Sequence, residues 1–159
     1  MVYEDGLGWP DANSYATVEA AKSYFDDIKF DYSAWENTKY GDNEIESALI
    51  RATAFIDTYK RWPGKKATAE QGLEWPRAGA YDMNGYLLQY VPDAIRSATM
   101  QAAIKELQEP FYFTKDAGEK VKREKIGEIE IEHTWENTYT MIDQYLRKII
   151  NIGGVRFER

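Results

Sequence analysis

The residues able to do chemistry in this chain are few and badly spaced for it. The sequence holds no cysteine and a single histidine, His133. That removes disulfides, thiolate metal sites and thiol nucleophiles, and with them the common zinc sites and any two-histidine catalysis. His133 has no Ser or Asp at motif spacing and reads as structural or exposed. Carboxylates cluster twice, as Asp26-Asp27 and as Glu128, Glu130 and Glu132. The second set alternates with Ile129 and Ile131, so its three carboxylates share one strand face. A divalent cation wants an oxygen-rich loop with a sharp glycine turn. None accompanies this face, and a solvated strand surface accounts for it. Gly64-Lys65-Lys66 lacks the upstream glycine and the Ser/Thr of a phosphate loop. No nucleophile–base pair is apparent. The expectation is no enzyme, no catalytic residue, no metal and no cofactor.

The elements that must position these residues follow from periodicity. At 159 residues the chain is expected to be one domain, 1–159, with an irregular arm over 1–16 and a tail over 155–159. No apolar run approaches the ~20 residues that span a bilayer, and the polar, acidic start is no signal peptide, so no membrane partner is expected. Thr17 caps a first helix with Val18, Ala21, Phe25 and Ile28 as its apolar stripe. Ser33-Ala34-Trp35-Glu36 fits a capping box. Asp42 or Asn43 caps a second helix striped by Ile45, Leu49, Ala52, Ile56 and Tyr59. Pro92 opens a third helix. Its polar residues Ser97, Gln101, Lys105 and Gln108 form one narrow wedge, and alanines, isoleucines and leucine fill most of the remaining circumference. A helix apolar on most sides is buried on most sides, which makes it the central one.

Between the second and third helices lies the most distinctive stretch. Residues 60–91 have no period, yet they carry Trp62-Pro63 and Trp75-Pro76 13 residues apart. Large aromatics are costly to leave in water, so this is an ordered, packed loop anchored by Trp62, Trp75, Pro76 and Arg77. Thr68 and Gln71 suggest one helical turn within it, and Asn84-Gly85 a tight turn. After the third helix, Val121–Ile126 and Ile129–Ile131 flank Gly127 as a hairpin, which includes Lys122, Arg123 and Lys125. A lone hairpin is marginal in water, so it packs on the helices or on another chain. Asn137 or Thr138 caps a last helix with Ile142, Tyr145, Leu146 and Ile149 inward, and Gly153-Gly154 ends it. The fold class is mainly α: a small helical bundle around a central buried helix, with a long ordered loop and a β-hairpin.

Charge is segregated. The whole chain carries −7. Residues 1–59 hold 12 acidic and 4 basic side chains (12 − 4, net −8), and residues 60–80 hold 5 basic and 2 acidic (5 − 2, net +3). Charge alone is accounted for by a solvated acidic surface; it also allows head-to-tail docking on copies of the chain, and it makes the chain a poor ligand for phosphate backbones. The aromatic content of 14% fits either an interface or an aromatic-rich core.

Several strings carry a resemblance. They are Ala12-Asn13-Ser14-Tyr15, Ala48-Leu49-Ile50-Arg51-Ala52-Thr53 with Phe55-Ile56-Asp57, Gln71-Gly72-Leu73-Glu74-Trp75-Pro76-Arg77, Val91-Pro92 with Ile95, Val121-Lys122-Arg123-Glu124-Lys125-Ile126-Gly127, and Ile142-Asp143 with Gly153-Gly154. Their order and spacing resemble a family of tailed-phage proteins often labelled DnaT-like single-stranded-DNA-binding proteins, which is similar in structure to phage head–tail connectors (adaptors). Arg61-Trp62-Pro63-Gly64 departs from the simpler aromatic–x–Gly turn of that pattern. The resemblance implies a structural virion protein at the neck, present in the host cytoplasm before assembly. It implies a ring of about twelve copies beneath the portal. Its partners would be itself, the portal protein, a tail or stopper protein, and double-stranded DNA that passes through without sequence-specific binding. By position, Val155, Arg156, Phe157 and Arg159 would dock on the portal or a neighbouring subunit. The alternative is a phage-encoded single-stranded-DNA-binding replication accessory protein. The net charge and the modest interleaving of aromatic and basic residues speak against it.

Overall fold

The computed structural model describes residues 1–28, 40–58, 62–108, 124–126, 129–131 and 142–149. The chain is mostly helical, with a small antiparallel hairpin, as the sequence leads one to expect. Helix α1 spans Val18–Ile28, and the Thr17 hydroxyl accepts the Ala20 N–H at 3.1 Å as its cap. Val18, Ala21 and Phe25 are buried at the predicted spacing. Helix α2 spans Asp42–Asp57 and buries Ile45, Ala48, Leu49, Ala52, Thr53 and Ile56. Its N-cap differs from expectation. Gly41 occupies that position, with no side-chain cap bond, while Asp42 and Glu44 lie in the first turn, where the helix dipole favours anions.

Helix α3 spans Asp93–Gln108 and is the central element. The Pro92 carbonyl accepts the Ile95 and Arg96 N–H groups that begin it. Ile95, Ala98, Met100, Ala102 and Ala103 are buried. Small side chains here bring α2 close. The polar wedge is narrower than the sequence suggests. Gln101 is buried and donates to the Tyr24 hydroxyl at 3.3 Å, and Tyr24 in turn bonds the Tyr145 hydroxyl at 2.9 Å. Glu106 is also buried, paired with Arg51 of α2. Buried polar groups persist because each finds a partner.

The contacts set the directions of the helices. Tyr40, just before α2, donates to the Leu107 carbonyl near the end of α3 at 2.9 Å. Lys22 of α1 pairs with Asp42, and the Tyr15 N–H reaches the Thr53 hydroxyl at 3.2 Å. Both α1 and α3 therefore run antiparallel to α2. One end of the bundle gathers the start of α2 with the ends of α1 and α3. The opposite end gathers the end of α2 with the starts of α1 and α3. A short helix α4 at 142–146 adds Ile142, Leu146 and then Ile149 to the core. Each fully buried Leu or Ile contributes about 1.5–3 kcal/mol relative to exposure.

Two ribbons complete the fold. Strands β1 (Lys65–Lys66) and β2 (Arg77–Ala78) pair antiparallel within the long loop, a ribbon the sequence reading did not foresee. Strands β3 (Glu124–Ile126) and β4 (Ile129–Ile131) form the expected hairpin, with Glu124 opposite Ile131 and Ile126 opposite Ile129. The capping box at Ser33–Glu36, the caps at Asn137 or Thr138, and His133 lie outside the described residues.

Candidate docking surface

The long loop is ordered because its tryptophan rings are packed and its side chains bond its own backbone, with a clasp to α2. Trp75 is fully buried, follows half-buried Glu74, and precedes Pro76 across a cis peptide bond. Trp62 packs edge-on against it, ring centroids 5.9 Å apart at 85°. Gln71 is a buried bracket. Its amide donates to the Leu73 and Pro76 carbonyls at 2.8 and 3.0 Å, and its oxygen accepts the Thr68 N–H at 3.0 Å. The Thr68 hydroxyl accepts the Gln71 N–H in return. The helical turn expected at Thr68 and Gln71 is not formed; the reciprocal bonds instead close a run of bends. Arg77 ties the ribbon by donating to the Pro63, Gly64 and Glu74 carbonyls and to the Glu74 carboxylate at 2.7 Å. Gly64 has φ +67°, and a Cβ there would lie 2.3 Å from the Ala78 carbonyl oxygen, so the entry into β1, pressed against the end of β2, requires glycine.

A buried polar clasp joins this loop to α2. The Tyr15 hydroxyl donates to Asp57 Oδ1 and accepts the Trp75 N–H at 3.1 Å. Asp57 Oδ2 accepts the Glu74 N–H at 3.1 Å. Burial pushes the Asp57 carboxyl up to about 6, against the opposing pull of the Tyr15 and Glu74 hydrogen bonds. Burial, followed by the neighbouring Asp57 charge, pushes the Tyr15 phenol far above its ordinary range. Trp62, Trp75, Pro76 and Arg77 are thus gathered in one packed segment. No sequence signal marked Asp57 as their partner.

The N-terminal arm is organised by one carboxylate. Glu4 is buried, and its oxygens accept the Gly6, Gly8 and Trp9 N–H groups at 2.8, 2.9 and 3.0 Å. The arm presses on Tyr90, the one non-glycine residue with positive φ (55°) among those described.

Beyond the packed loop the chain projects outward. Residues 80–88 form a tight hairpin closed by the predicted Asn84-Gly85 turn. Leu88 donates to the Ala80 carbonyl at 2.8 Å, Asp82 to the Tyr86 carbonyl at 2.9 Å, and Tyr81 bridges Leu87. The half-buried Asp82 carboxylate accepts the Tyr86 and Asn84 N–H groups, each at 2.9 Å, which holds it below the usual carboxylate range. The Met83 N–H is anchored on the Lys148 carbonyl at 3.2 Å. A hairpin held this way would ordinarily turn its apolar side chains inward. Here Met83 is 74% and Tyr86 73% exposed, and Tyr81, Leu87 and Tyr90 are also exposed. Clustered exposed apolar side chains on an ordered element mark a binding surface. The sequence reading left aromatic richness undecided between core and interface. The structure divides it, with Tyr15 and Trp75 inside and the 81–90 set outside.

The other sequence candidates are only partly in view. Lys125, Ile129 and Ile131 fall on β3 and β4, while Lys122 and Arg123 lie outside the described residues, as do Val155, Arg156, Phe157 and Arg159. Among the described residues no group of three His, Asp or Glu side chains is placed to share a metal ion, and no helix is long and apolar enough to cross a membrane. A family profile matches residues 1–159, the whole chain, under the description "Putative DnaT-like ssDNA binding protein". The chain belongs to this family. No curated protein and no solved structure matches it. The match bears out the DnaT-like half of the resemblance, and nothing in the comparisons supports its head–tail connector half. For this member of the family, what remains to be assigned is which surface works and on what.

Proposed function

We propose that this member of the DnaT-like family is a non-enzymatic assembly subunit, a phage head–tail connector that rings the DNA passage between portal and tail. The observation that carries the reading is the rigid 80–88 hairpin with its exposed Tyr81, Met83, Tyr86 and Leu87. Its one charged residue is Asp82, already committed to the turn. The hairpin itself carries no cation, the exposed Lys65, Arg147 and Lys148 lying beside it, and its apolar, aromatic tip suits a protein surface. The chain's acidic balance suits a lumen along which DNA slides without being held.

The second reading is a single-stranded-DNA-binding accessory protein, and the family description favours it. Exposed tyrosines can stack on bases, but tight binding also needs a cationic groove along the phosphates. One titration separates the two. A labelled oligonucleotide at ~150 mM salt should show no sub-micromolar binding. Sub-micromolar affinity that falls steeply with salt moves the conclusion to the DNA-binding accessory.

A further inference from the structure

The two ends of the bundle differ in shape and in charge. One end carries the projecting hairpin. Beside it lie exposed Arg147 and Lys148, the latter bonded through its carbonyl to Met83, and exposed Lys65 on the β1–β2 ribbon. At the other end, α1 finishes with exposed Asp26 and Asp27, and the first turn of α2 adds exposed Asp42 and Glu44. Of the basic groups described nearby, Lys22 pairs with Asp42 and Arg51 with Glu106, while Lys105 lies in the last turn of α3. An open groove of about 400 Å³ lies between α2 and the end of α3, lined by Tyr40, Asn43, Ser47, Arg51 and Leu107 among others. Helix α3 alone, 16 residues long, separates the ends by about 24 Å.

We propose that the hairpin end of one copy docks on the acidic end of the next, with Met83 and Tyr86 as the apolar anchors and Lys148 and Arg147 facing Asp27 and Glu44. The occupant is a second copy because the chain itself supplies both halves of a complementary pair: a knob flanked by cations and an acidic end with a groove. The two surfaces are different and lie at opposite ends, so the contact is heterologous. Heterologous contacts repeat, and they build a ring or a filament instead of a closed two-fold dimer. The charges set register and encounter rate, while the apolar tip sets how long the contact lasts. This deepens the assembly reading by naming its interface.

The test uses the full chain in sedimentation velocity over a concentration series. Two double variants are made, Met83→Ser with Tyr86→Ser at the knob, and Asp27→Lys with Glu44→Lys at the acidic end. All four residues are exposed, so each variant should melt within a few degrees of the parent. The parent should self-associate, more strongly at low salt. Each variant alone should sediment as a monomer, with association weakened at least tenfold. The two variants mixed should form a dimer and nothing larger, because each retains one intact half. A parent that stays monomeric at every concentration overturns the proposal. So does a knob variant that assembles like the parent, although the assembly reading then survives on another surface. If the Tyr86 variant instead loses binding to an oligonucleotide that the parent holds, the knob is a base platform and the assembly reading fails as well.

Discussion

Asp57 shows how one buried side chain ties two elements and makes their union depend on pH. Its carboxyl titrates near 6 in the folded chain because burial disfavours the anion. An unfolded aspartate titrates at about 3.9. The folded state therefore holds an extra proton between roughly pH 4 and 6, and stability from this group is present below that window and lost as pH rises through it. Asp57→Asn cannot titrate. The stability difference between parent and variant should grow in the parent's favour as pH falls from 7 to 4. A difference independent of pH would show that Asp57 is solvated like an ordinary aspartate. Trp75 works at the same scale by volume. Its ring is fully buried against Trp62, so Trp75→Ala should cost about 3–5 kcal/mol. An unchanged melting temperature would place the ring outside the core.

The loop between α2 and α3 shows how an element without a period becomes rigid. Repeating backbone bonds are few, and the two-residue strands β1 and β2 supply little. Side chains take over: Gln71 brackets three backbone groups, Arg77 staples the ribbon, and the Tyr15–Asp57 clasp fixes Glu74 and Trp75. Gln71→Ala leaves the Leu73 and Pro76 carbonyls without this donor in a buried setting. The expected loss is about 2–4 kcal/mol in urea unfolding, with an unchanged denaturant slope. A loss below about 0.5 kcal/mol would mean that water replaces the amide without penalty. The rigidity matters beyond the loop. The 80–88 hairpin grows directly from it, and a stiff base spares the hairpin the ordering cost of meeting a partner.

At the scale of the whole molecule, the described residues form three helices and a short fourth, a bundle with unlike ends. That polarity suits repeated head-to-tail contacts, and the assembly reading extends it to neighbours in a particle. Deleting residues 155–159 removes Phe157 between Arg156 and Arg159, a composition common at binding hot spots. The truncated chain should melt like the parent, because none of the described core residues is lost, but should fail to attach to portal-bearing heads. Normal completion of infectious particles by the truncated chain would remove the tail from the docking machinery.

The sequence by itself determined the helices, because an apolar stripe at 3.6-residue spacing has only one efficient burial. The stripes of α1, α2 and α4 and the nearly apolar girth of α3 were readable for that reason. It also determined that the Trp62–Arg77 segment is packed, since two tryptophans and two prolines are too costly in a free loop. Local turn chemistry announced Asn84-Gly85 and the β3–β4 hairpin. Only the tertiary structure decided the partners of isolated polar residues. Glu4, Asp57, Gln101 and Glu106 look like surface residues in sequence, and each is buried or mostly buried because the fold supplies a partner: the Gly8 N–H for Glu4, the Glu74 N–H for Asp57, the Tyr24 hydroxyl that accepts from Gln101, and Arg51 for Glu106. Nor does composition say which aromatics are exposed. Tyr15 and Tyr86 are the same residue type in similarly polar neighbourhoods. Tyr15 faces the α2 end that covers it, while Tyr86 stands on a hairpin that nothing in the described chain covers.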